Sequence, residues 1–93
     1  MLGTVQKQPA DQLDYDIDFE RWLTDSDTIT TATAAVSGAD DFLTLQSVQV
    51  ASPKVKVWLA GGSDGVTYTI TVTTSTAGGR IKEEEFKLRV KEI

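Results

Sequence analysis

Apolar and acidic residues alternate without a slip over residues 13–20, where Leu13, Tyr15, Ile17 and Phe19 interleave with Asp14, Asp16, Asp18 and Glu20. A period of two sends the two sets to opposite faces of an extended chain, so this segment predicts a half-buried strand. Trp22 and Leu23 are expected to tuck beneath its end, with Asp25, Ser26 and Asp27 in a turn. Residues 28–36 form a second predicted strand with small side chains, broken by SGADD at 37–41. In 42–50, Leu43 and Leu45 share one parity and Val48 and Val50 the other, which predicts a bulge near Ser47. Residues 54–60 put Val55, Val57 and Leu59 on one face and Lys54, Lys56 and Trp58 on the other. GGSDG at 61–65 is a turn, after which 66–74 alternates with Tyr68, Ile70 and Val72 inward. STAGG at 75–79 closes a hairpin into 80–92. There Ile81 is out of phase with Phe86, Leu88 and Val90, and a second bulge is expected within 83–85.

Short strands separated by turn signals, with no helical periodicity of useful length, predict an all-β fold. The architecture expected is an immunoglobulin-like antiparallel β-sandwich of about seven strands, with a long last strand. Its core should include Leu13, Ile17, Val57, Ile70, Val72, Phe86 and Leu88, which share inward parity. Residues 1–12 show no alternation and contain Pro9, which lacks a ladder donor. They are expected to be an extended arm preceding a domain at 13–93, ordered only in an assembly. Leu2 and Val5 would then dock on a neighbouring copy.

Composition sharpens this picture. Thr, Val and Ile supply 27 of 93 residues, and their branched Cβ atoms favour a pleated surface. There is no cysteine and no histidine. The first absence removes disulfides and thiolate metal sites, and the second removes the commonest general base. A net charge of −5 argues against a nucleic-acid role, which needs clustered Lys and Arg. No apolar run is long enough to cross a bilayer as a helix, and the N-terminal residues lack the basic and apolar regions of a secretion signal.

The acidic octet is the one segment with candidate chemistry. Asp14, Asp16 and Asp18 have the D-x-D-x-D spacing that opens an EF-hand loop, but Phe19 and Asp25 stand where that loop needs Gly and a bidentate Glu. Glycoside hydrolysis would need two carboxylates facing each other across a cleft, whereas these share one face. GGSDG lacks the lysine and the helix of a phosphate loop. No catalytic, cofactor-binding or metal-binding residue is therefore assigned. Lys87, Arg89 and Lys91 form a basic stripe in the last strand that matches the acidic stripe Asp14, Asp16, Asp18 and Glu20. The two are expected to specify pairing, within the chain or with a neighbour. Trp58 either caps an edge of the core or, with Lys54 and Lys56, anchors a protein interface.

Taken together, KQPADQLDYDIDFERWLTDSDTI and VKVWLAGGSDGVTYTITVTTSTAGGRIKEEEFKLRV resemble the fiber-tail adaptor proteins of tailed bacteriophages. The resemblance covers most of residues 7–90. It implies a virion structural protein of the tail region, made in the host cytoplasm. Such a protein would link tail or neck proteins to tail fibers, in several copies of a symmetric assembly. It implies no enzyme activity, no cofactor, no nucleic acid and no membrane partner. A capsid decoration protein, or a carbohydrate-binding or adhesion module of the same fold, is the alternative.

Overall fold

The computed structural model describes residues 4–23, 26–38, 40 and 42–92. Among these described residues seven strands run in order: β1 (Thr4–Lys7), β2 (Gln12–Asp18), β3 (Ile29–Ser37), β4 (Leu43–Ala51), β5 (Lys54–Gly61), β6 (Thr67–Thr76) and β7 (Ile81–Val90). They form a four-stranded sheet, β1-β7-β6-β3, and a three-stranded sheet, β2-β5-β4. β2-β5-β4 and β3-β6-β7 reproduce the two halves of a constant-type immunoglobulin sandwich. β1 leaves its usual place beside β2 and joins the far edge of β7. That pairing is parallel, while the other four strand pairings are antiparallel.

Alternation dictates the core. Ile17 from β2, Val55, Val57 and Leu59 from β5, Tyr68, Ile70 and Val72 from β6, and Phe86, Leu88 and Val90 from β7 are buried between the sheets. Leu13, expected among them, is 38% exposed. It pairs with Leu59 on one side, but β2 is the edge of its sheet and no strand shields its other flank among the described residues.

The bulge expected near Ser47 is present: the β4–β5 register shifts between Leu45 and Ser47. It lets Leu45 and Val48 pack against the same core despite their opposite parity. The bulge expected at 83–85 is absent. The β6–β7 ladder runs unbroken from Thr67↔Arg89 to Ser75↔Ile81. Ile81 therefore keeps the outward parity of Glu83 and Glu85 and is 73% exposed. The reason is length: the hairpin outruns the apolar core, so its distal inward places go to polar residues. Thr74 donates through Oγ1 to the Lys82 carbonyl (3.1 Å), and Lys82 lies 3.7 Å from Glu84.

The N-terminal arm needs a larger correction. Thr4–Lys7 pair with Lys87–Val90 inside the larger sheet, and Val5 packs against the core. Four residues are too few to display a period, and the second inward place is held by a lysine. Lys7 is 3% exposed. Its ammonium donates to the carbonyls of Gln8 (2.6 Å) and Pro9 (3.4 Å). Burial pushes its pKa below the usual lysine range, and the Asp11 carboxylate opposes that shift. Pro9 sits in the turn closed by Asp11 N–H donating to the Gln8 carbonyl (3.1 Å), so it costs no ladder bond. Leu2 lies outside the described residues.

Candidate protein-binding faces

The β2–β5 register merges two groups of residues that the sequence presents separately. Asp14 stands opposite Trp58, Asp16 opposite Lys56, and Asp18 opposite Lys54. All six carry the outward parity of the smaller sheet, so the acidic stripe and the Lys54, Lys56, Trp58 set form one surface. Asp14 Oδ2 lies 3.3 Å from Lys56 Nζ. Both side chains are well exposed, so the pair contributes well under about 1 kcal/mol and chiefly sets orientation. Asp18 Oδ1 accepts the N–H of the exposed Glu20 (2.9 Å) in the turn that ends the strand. Trp58, half-buried, has Asp14 on one side and Ser47 of β4 on the other.

The basic stripe lies elsewhere. Lys87 is flanked by Thr4 and Thr69, and Arg89 by Gln6 and Thr67, on the outward side of the larger sheet. Lys91 follows the strand, its N–H donating to the Lys7 carbonyl (2.9 Å). The two stripes thus occupy opposite outer faces and do not pair within the chain. The place beside β7 is held by β1, and the acidic strand goes to β5 instead.

Val5, expected on a docking arm, lines an apolar groove of about 230 Å³ with Tyr15, Asp16, Ile17 and Phe86. The groove opens where the β1 edge of one sheet meets the β2 edge of the other. Tyr15 spans it: its ring centroid is 5.9 Å from that of Phe86, and its hydroxyl donates to the Gln6 carbonyl (3.2 Å). Burial, with Asp11 and Asp14 nearby, raises the phenol's pKa.

Two polar clusters lie outside the faces that the sequence singles out. Tyr68 is fully buried, yet its hydroxyl accepts from Ser63 N–H (2.9 Å) and donates to Asp40 Oδ1 (2.6 Å). A tyrosine near the start of this strand, bonded back to the backbone just upstream, is the tyrosine corner of immunoglobulin-like sandwiches. Ser63 and Tyr68 within SDGVTY were the available signal. The Tyr68 hydrogen bond, helped by Phe42 N–H and Ser63, holds the Asp40 carboxyl below the usual carboxylate range.

At the opposite end, Asp27 Oδ1 accepts from Gly78 N–H (2.9 Å) and Thr28 N–H (3.0 Å). Thr76 foremost, then these donors and Arg80, lower its pKa. An open polar hollow of about 320 Å³ is lined by Ser26, Asp27, Ala77, Gly78 and Arg80. Its carboxylate is committed to pinning the β6–β7 turn. Among the described residues, no three His, Cys, Asp or Glu are grouped to hold a metal ion.

A family model described as "Podophage GP4 fiber-tail adaptor protein gp77" matches residues 7–89 of the 93-residue chain. The match runs from the end of β1 almost to the end of β7 and takes in the outer face of β2-β5-β4 and the groove residues Tyr15, Asp16, Ile17 and Phe86. No curated protein matches the chain.

Proposed function

Because this chain belongs to the podophage GP4 fiber-tail adaptor family, we propose that it joins tail or neck proteins of the virion to the tail fibers. It acts by binding alone, without catalysis, and in several copies set by the symmetry of the tail. The observation that carries this reading is the family match over both sheets. The arrangement of Asp14, Asp16, Lys54, Lys56 and Trp58 on one outer face supports it. A half-buried tryptophan beside the Asp14–Lys56 ion pair suits a protein contact, because tryptophan is enriched among residues that dominate binding energy while charges fix register. Neither the basic stripe nor the polar hollow offers an aromatic anchor.

The test is genetic and structural together. Particles assembled without this protein should have intact heads and tails but no fibers. Normal fiber occupancy on such particles would refute the adaptor role, and loss of protein from the capsid surface instead would favour a decoration role.

A further inference from the structure

The edge of β2 combines three features that no other edge of the sandwich shares. It is the terminal strand of its sheet, so half of its backbone N–H and C=O groups have no strand to pair with among the described residues. Its inward residues are incompletely covered: Leu13 is 38% exposed, and Tyr15 is half-buried over the groove formed with Val5, Ile17 and Phe86. Its outward residues are Asp14, Asp16 and Asp18, of which Asp14 alone has an ion pair among the described residues. The β4 edge, by contrast, is interrupted by its bulge and sits against β3. The outer edge of β1 carries Gln6 and Thr4 outward.

We propose that the β2 edge takes up an extended segment of a partner protein in which Lys or Arg alternate with aliphatic residues. An added strand repeats the period of the strand it joins, so its side chains alternate between the same two faces. The aliphatic set would cover Leu13 and enter the Tyr15–Phe86 groove, while the cations would face Asp16 and Asp18. Charge complementarity selects the partner. A segment with acidic residues at those places would meet like charges directly opposite.

A second copy of this chain is a poor source. Its segments of matching pattern, Lys54–Val57 and Phe86–Lys91, lie in β5, between β2 and β4, and largely in β7, between β1 and β6, so each already has a strand on both sides. The assignment of that segment to a tail or fiber protein rests on the adaptor reading. The edge itself can be tested without phage.

Isotope-labelled full-length protein would be titrated with a short synthetic peptide alternating Lys with Val and Leu, at low salt, and followed by NMR. The expected result is saturable binding, with the largest amide shifts at residues 12–18 and side-chain shifts at Leu13 and Tyr15. Replacing Asp14, Asp16 and Asp18 together by Asn should weaken binding about tenfold. Methylating alternate backbone nitrogens of the peptide should abolish binding to the unaltered protein, a control that needs no folded variant. Several results would overturn the proposal: no saturable binding, shifts centred on another face, equal binding of a Glu-for-Lys peptide, or dimerisation of the protein through β2. None of these would bear on whether particles lacking the protein lose their fibers.

Discussion

Tyr68 shows how one side chain serves both core and corner. Its ring is part of the apolar interior, while its hydroxyl ties Ser63 and Asp40 to the start of β6. Tyr68→Phe keeps the ring but leaves the Ser63 N–H without its acceptor. It should cost about 1–3 kcal/mol in chemical denaturation. Ile70→Ala removes buried methylenes at the centre of the same strand and should cost about 2–5 kcal/mol; unchanged stability would contradict the burial of β6. Asp40 and Asp27 make stability depend on acid pH. Both have folded pKa values below the ordinary 3.8, so on acidification the unfolded chain takes up protons first. Their contribution is therefore full above that value and is lost as pH falls through the lower folded values. Melting temperature followed against pH should drop in that acid window, and Asp40→Asn with Asp27→Asn should flatten the drop.

At the level of strands, the sequence discloses those with long regular alternation and conceals those without. β2, β5 and β6 are legible because apolar and polar places succeed one another for seven or more residues. The β4 bulge is legible because the residues on both sides of it must reach the core. β1 is hidden by its four-residue length and by a lysine at a buried place. With β1 hidden, β2 reads as the first strand and the place beside β7 as open to it, whereas β1 occupies that place. In β7 the change from Ile81 to Phe86 is one of residue type at constant register, which pattern alone cannot separate from a bulge. The candidate face was half legible: Lys54, Lys56 and Trp58 share parity within one strand. Their acidic neighbours come from long-range pairing that no local pattern encodes. β1 now carries its own prediction. Deleting residues 1–7 uncovers Phe86 and Tyr15, and should lower the melting temperature by at least roughly 4 °C. An unchanged value would mean that β1 adds nothing to the fold.

The whole molecule is an elongated body, 43 × 20 × 20 Å, with one core and no cysteine to brace it. A sandwich of this shape offers two long faces and four edge strands to neighbours, which suits a part that links others. On the outer face of β2-β5-β4, Trp58→Ala combined with Lys56→Glu should sharply reduce fiber occupancy on assembled particles. The melting temperature of the isolated protein should stay within a few degrees, because neither residue belongs to the buried cluster. A large loss of stability with normal fiber occupancy would assign Trp58 to the fold instead. A part that links tail to fiber must sit between them, and a density map of the intact particle shows where the chain lies. The adaptor account predicts this sandwich between tail and fiber, with Lys54, Lys56 and Trp58 against a neighbouring protein. A map that places the chain on the capsid, or at the tail with that face open to solvent, would contradict it.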